Sequence, residues 1–208
     1  MEVRHAIQER RSIRRFKSDA VPVADIEKMV YAASLAPSGG NMQPWQFLAI
    51  TNKECRDALA RIIHDEGVKF SHDMGQAMPH FIVTSLVFTT APLVFAVMMT
   101  PFPLEEDSWF QAFRKRKNLE GRSIDRYGGF VSVMGVAAAI ENLLLTAYDL
   151  GYGSCWVRIP YYAKDALERF LNIEAPRELV ALLPVGIADT NPRMPPRKPI
   201  QDIFALVE

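Results

Sequence analysis

Apolar and polar positions along the chain switch between two periods, and the switches predict its elements. Residues 2–12 carry an amphipathic helical pattern, and 24–35 predict a second helix, with Asp25 near its start. Ala36-Pro37 closes that helix, because the residue before a proline disfavours helical geometry. Residues 37–44 then read as a loop, Trp45–Ile50 alternates as a strand, and 53–64 predicts a helix on the spacing of Ala58, Leu59, Ile62 and Ile63. From Phe81 to Met99 no residue is charged; Pro92 divides this run into an apolar stretch, 81–88, and a β-rich segment, 93–97. Residues 131–150 form the most strongly patterned helix, apolar around much of its circumference and therefore expected to be buried. Gly151-Tyr152-Gly153 ends it, 154–159 predicts a strand, 164–171 a helix, and 179–187 a last core strand. Helices and strands interleave irregularly, which favours a layered α/β sandwich over a series of βαβ units.

Two stretches break the pattern. Residues 101–129 contain Pro101, Pro103, Gly121, Gly128 and Gly129 and a basic run, Arg114-Lys115-Arg116-Lys117, and predict an excursion or lid. Acidic residues surround the run at Glu105, Glu106, Asp107 and Glu120, so a solvated surface is the better reading than a nucleic-acid contact. Residues 190–200 hold four prolines and read as an arm. With 208 residues, about half of them hydrophobic, the chain is expected to form one domain spanning 1–208.

Charge narrows the function classes. Lys+Arg and Asp+Glu number 24 each, so nothing in the balance points to nucleic acid or to an anionic membrane surface. The uncharged run 81–99 approaches the length of a membrane span, but Thr84, Ser85, Thr89 and Thr90 dilute it and Pro92 interrupts it, so a buried segment and strand are expected instead. The first residues show no signal core, and Cys55 and Cys155 give neither a disulfide framework nor a metal spacing; a cytoplasmic protein is expected. His64, His72 and His80 recur every eight residues, which on a helix leaves side chains about 80° apart, and no metal site is expected from them.

The candidate chemistry lies in small clusters. Arg10, Arg11 and Arg14 with Ser12 suit a phosphate, because guanidinium forks pair with phosphate oxygens bidentately; a helix C-terminus stabilised by positive charge accounts for one or two of them equally well. In Pro37-Ser38-Gly39-Gly40-Asn41-Met42-Gln43-Pro44-Trp45 the glycines allow close approach to a ligand and Ser38, Asn41 and Gln43 offer polar groups; the alternative is a polar turn with Trp45 as a core anchor. Read with the arginines, this loop suggests one ligand faced by both segments. Arg197-Lys198-Pro199 would return a cation to the same phosphate. No paired carboxylates, activated nucleophile or Gly-rich dinucleotide fingerprint is visible, and Cys155 in its apolar strand reads as an inert hydrophobe rather than a redox group.

At this point the chain resembles the flavin-dependent nitroreductase family over nearly its whole length. The resemblance rests on Arg10-Arg11-Ser12-Ile13-Arg14, on Pro37 to Trp45, on Ile140-Glu141-Asn142-Leu143-Leu144-Leu145 running into Gly151-Tyr152-Gly153-Ser154-Cys155-Trp156-Val157, and on Pro184-Val185-Gly186 followed by Arg197-Lys198-Pro199. It implies an α+β fold, a three-layer α/β/α sandwich with a mixed, largely antiparallel sheet, and a homodimer that exchanges C-terminal arms and binds FMN between subunits. By position, Arg10, Ser12 and Arg14 would hold FMN from one subunit, with Arg197 reaching its phosphate and Arg11 matching less specifically. Pro37, Ser38, Gly39 and Asn41 would approach from the partner, and Cys155, Trp156 and Val157 would lie beside the ring. Gly135 stands where the family has a polar residue, which implies one flavin contact fewer or one supplied by water. The implied activity is ping-pong oxidoreduction between NADH or NADPH and a nitroaromatic, quinone or related electron-poor molecule, with Arg14 as electrostatic stabiliser. Enone reduction, reductive dehalogenation, oxygen-dependent flavin fragmentation, a non-catalytic FMN-binding module and a purely structural homodimer are the alternatives.

Overall fold

The computed structural model describes residues 2–104, 106–119 and 130–207. Glu105 and residues 120–129, and with them Glu120, Gly121, Gly128 and Gly129 of the expected excursion, lie outside the described residues.

The elements run α1 (Val3–Glu9), α2 (Val23–Ser34), β1 (Trp45–Ile50), α3 (Lys53–Asp73), α4 (Pro79–Ser85), β2 (Leu93–Met99), α5 (Ser108–Arg116), α6 (Val131–Asp149), β3 (Gly153–Ser154), β4 (Val157–Arg158), α7 (Lys164–Phe170) and β5 (Glu178–Gly186). The sheet order is β1-β2-β5-β3, with β4 also pairing with β5, and every pair is antiparallel. Among the described residues the parallel contribution is an isolated bridge between Ser12 and Ser154.

Strand β2 is buried along its whole length because both of its faces are covered. Leu93, Phe95, Val97 and Met99 face α2 and α6, where Met29, Ala33, Ile140, Leu143 and Leu144 complete one core. Val94 and Ala96 face the opposite layer, with Leu59 and Ile63 of α3 and Leu167 of α7. Alternation along the strand thus makes three layers. Each fully buried Leu or Phe in these cores contributes roughly 1.5–3 kcal/mol. A bulge between Val97 and Met98, opposite Ala181 and Leu179, reverses the alternation of β5 locally: Leu179 packs with α3 and α7 while Ala181 packs with α2 and α6.

Three expectations are corrected, and two stretches left open acquire their elements. Helix α1 stops at Glu9 rather than residue 12, because Arg10 turns extended (ψ 135°) and the following segment pairs with the sheet at Ser12 and Phe16. Helix α3 continues past His64 to Asp73; Gly67 lets Ile82 of α4 pack against it, since a Cβ there would lie 2.7 Å from Ile82 Cγ1. The apolar stretch 81–88 is mostly α4, started by Pro79 at its first position. The excursion contains α5, capped by the Asp107 carboxylate accepting from the Phe110 N–H at 2.8 Å. The strand expected over 154–159 splits into β3 and β4, interrupted at Cys155 and Trp156. Helix α6 is long and apolar enough to cross a membrane by composition, and its buried residues are built into the α2-facing core.

Candidate functional site

The segment after α1 is held flat against β3. The Ile13 N–H donates to the Ser154 carbonyl at 2.9 Å, and the Phe16 N–H to Thr90 Oγ1 at 3.1 Å. Gly153 makes this approach possible: a Cβ there would sit 2.6 Å from Ile13 Cγ1. Ile13 and Phe16 are buried, and Arg14 and Arg15 between them are exposed.

The arginines separate into different roles. Arg11 donates to the Gln8 carbonyl at 2.6 Å and to the Arg10 carbonyl at 2.8 Å, and pairs with Glu9 at 3.8 Å, so it caps α1 in the way a cation at a helix C-terminus should. Arg10 Nε lies 3.4 Å from Glu141 Oε1 of α6, in an alignment that leaves Nε buried without a hydrogen bond among the described residues. Arg14 donates to the Ser12 carbonyl at 3.3 Å and is otherwise exposed.

These residues line a cavity of about 200 Å³ with Ser12, and the proline-stiffened arm brings Arg193 and Arg197 to its other side. No carboxylate lines it. Its positive potential therefore suits a phosphate. Arg14 also lines an adjoining cavity of about 270 Å³, walled by Cys155, Trp156, Val157, Phe81, Thr84 and Ser85. Burial pushes the Cys155 thiol up, with Arg14, the Ser12 hydroxyl and Arg10 opposing that shift. The Cys155 N–H donates to the Pro184 carbonyl at 3.2 Å.

Residues 37–44 line neither cavity, so a single chain does not bring the loop to the arginines. The loop sits at the start of α6 instead. Pro44 accepts from the Thr100 N–H at 2.8 Å, and Ser38 Oγ accepts from the Gln43 N–H at 3.0 Å. Gly40, Asn41 and Gln43 all adopt left-handed backbone, with φ of 58°, 55° and 49°. Asn41 and Gln43 pay a conformational cost that glycine avoids, and both are exposed with Pro37 and Gly39. Gly135 faces this loop: a Cβ there would lie 3.3 Å from Ser38 Cβ, so the missing side chain makes room for Ser38 rather than opening a gap.

Arg193, Phe81, Thr84 and Ser85 were not singled out from sequence. The Pro192-Arg193 pair in a proline-rich arm was the available signal for the first, and the hydroxyls of Thr84 and Ser85 within an apolar run for the others. His64 and His72 are exposed and lie 3.0 and 3.6 Å from Asp65 and Asp73, away from both cavities.

The fold and site define an α+β protein with helices on both faces of an antiparallel sheet and an arginine-lined anion cradle at one sheet edge. The chain belongs to the nitroreductase family, whose pattern it matches over residues 7–187. It is 27% identical over 206 residues to an iodotyrosine deiodinase of Hydra vulgaris, covering 94% of this chain and 69% of that one. It is 29% identical over 176 residues to a putative NADH dehydrogenase/NAD(P)H nitroreductase of Archaeoglobus fulgidus, covering 85% of this chain and 74% of that one. Among solved structures, a BluB-like flavoprotein from Clostridium difficile 630 superposes over the whole of both chains with a TM-score of 0.86 at 28% identity.

Proposed function

We propose that this chain is an FMN-dependent NAD(P)H oxidoreductase acting as a cytoplasmic homodimer, with nitroaromatics, quinones or related electron-poor small molecules as acceptors. The observation that carries the reading is the anion cradle joined through Arg14 to a second cavity beside Cys155, Trp156 and Val157. The residues present fit FMN: the arginines, with Arg10 Nε buried and making no hydrogen bond among the described residues, suit its phosphate, and the adjoining walls suit a flat ring. When bound, FMN supplies hydride acceptance from NADH or NADPH and its return to the second substrate in a ping-pong cycle.

The chain's own residues bind and orient. Arg10, Arg14, Arg193 and Arg197 neutralise the phosphate, and Ser12 completes the cradle. Arg14 holds positive charge where the two cavities meet, the place for the electrostatic stabiliser of a ring that gains electrons. Trp156 and Val157 wall the ring. Pro37, Ser38, Gly39, Asn41 and Gln43 project from the far side of the chain and serve the partner's cofactor. Exposed Ile200, Ile203, Phe204, Leu206 and Val207 on the arm supply the apolar surface for exchange with the second subunit. The whole chain acts as one domain with 101–129 as its lid, on which Trp109 is 87% exposed.

The relatives support the choice of donor, since one is described as an NAD(P)H nitroreductase. A second reading, reductive dehalogenation of an aromatic substrate, is favoured by the iodotyrosine deiodinase relatives. The test is an anaerobic titration of FMN-reconstituted protein with NADH and NADPH, followed by flavin absorbance. Bleaching at stoichiometric nucleotide, reversed by a nitroaromatic or quinone, is expected. Bound flavin that neither nucleotide bleaches removes the NAD(P)H assignment, and reoxidation only by a halogenated phenol selects the second reading.

A further inference from the structure

A further cavity is neither the arginine cradle nor its neighbour. It encloses about 750 Å³ between the end of α1, the turn from α6 into β3 and residues 188–191, where β5 leaves the sheet. Ile13 walls it, whereas Ser12, Arg14, Arg193 and Arg197 do not, so it is reached from a different side of the extended segment. Arg10 and Arg11 stand between the two cavities and line both.

Its polar groups are matched unevenly. Ser154 is 1% exposed, lines this cavity, and its hydroxyl has no hydrogen-bond partner among the described residues. Leaving such a group unpaired away from water costs about 1–3 kcal/mol, which a bound acceptor would recover. Lys17 lines the cavity with no carboxylate within ion-pairing distance among the described residues. The acids at the rim are engaged: Glu9 with Arg11 at 3.8 Å, Asp189 with Arg15 at 3.7 Å, and Asp149 with a partner of its own. With Arg10 held by Glu141 at 3.4 Å and Arg11 by Glu9, what remains unmatched among the described residues is the Lys17 ammonium and the Ser154 hydroxyl. Tyr148 and Tyr152 add aromatic wall, and the volume suits a molecule of nucleotide size.

We propose that this cavity is a second binding site, separate from the FMN site, for a small organic anion carrying a flat ring, with Lys17 taking the anionic group and Ser154 Oγ donating to it. The test is calorimetric titration of FMN-saturated protein, in which the cradle is filled, with 5′-AMP as the probe. One saturable site is expected. Lys17→Ala weakens it about tenfold, the scale of a charge-assisted hydrogen bond, and Ser154→Ala roughly threefold, the scale of a neutral one. Arg14→Ala, titrated with FMN held in excess so that the cradle stays filled, leaves 5′-AMP binding unchanged. Without the probe, Ser154→Ala melts at or above the wild-type temperature, because the hydroxyl it removes has no protein partner. Absence of saturable heat, equal affinity in Lys17→Ala, or loss of binding in Arg14→Ala overturns the site; a lowered melting temperature in Ser154→Ala overturns the role given to its hydroxyl.

Discussion

The extended segment at residues 10–16 and the loop at 37–44 are both rich in ligand-binding residue types, yet the chain treats them in opposite ways. The segment is nailed to the sheet by a bridge at Ser12, by buried Ile13 and Phe16, and by a glycine with no room for a side chain. Its arginines are thereby aimed at cavities within the same chain. The loop is organised internally, by the Ser38 hydroxyl and left-handed Asn41 and Gln43, and turns its polar groups outward. One half of the proposed site is therefore complete in a single chain. The other half is shaped but, among the described residues, lines neither cavity, which is how a binding loop meant for a second subunit would be built.

Substitutions can break this contrast from either side. The largest effect is expected from Gly153→Val, which drives a side chain into Ile13; overpacking of this kind costs about 1–3 kcal/mol. Thermal unfolding should show a lower melting temperature together with loss of bound flavin. An unchanged melting temperature would mean that the segment moves aside freely and is not fixed by packing. Arg14→Ala comes next: FMN affinity should fall roughly tenfold to a hundredfold, as for one lost hydrogen bond to a charged group, and the flavin potential should fall with it. Flavin fluorescence quenching and a redox titration measure the two, and no change in either removes Arg14 from the site. Ser38→Ala should be the mildest, weakening FMN by about 1 kcal/mol or less with the melting temperature unchanged, because its hydroxyl organises an exposed turn. A drop in melting temperature there would show that the loop is structural in its own chain.

How much of this was legible from sequence follows the physics of each element. Helices α2, α6 and α7 were legible because each presents a sustained face to one core, and strands β1 and β5 because their apolar runs lie between the two cores. The end of α1 was not, since the amphipathic pattern continues past Glu9 and it is the pairing of Ser12 and Phe16 with distant residues that overrides it. The length of α3 was hidden because its second half packs through Gly67, where the signal is a missing side chain. In the site, the clustered arginines were visible as a run. Arg193, Thr84 and Ser85 were not, since nothing local distinguishes them from surface or core residues until the arm and α4 are folded against the segment. The two readings of the arginine run also divide by residue: Arg11 serves the helix end, while Arg10 pairs with Glu141 and Arg14 is exposed beside the cradle, the two proposed for the ligand.

Cys155, 3% exposed and set into the wall of the 270 Å³ cavity, gives the molecule a built-in reporter. The other thiol, Cys55, is half-buried at the start of α3 and serves as an internal reference. Burial raises both thiols above the ordinary range, so alkylation of each should quicken as pH climbs through and beyond that range, with Cys55 the faster. Mass spectrometry of partly alkylated protein then reads a ratio. A molecule seated against Trp156 and Val157 should shield Cys155 and leave Cys55 untouched, so that the ratio gauges occupancy of this one cavity whether or not any turnover follows.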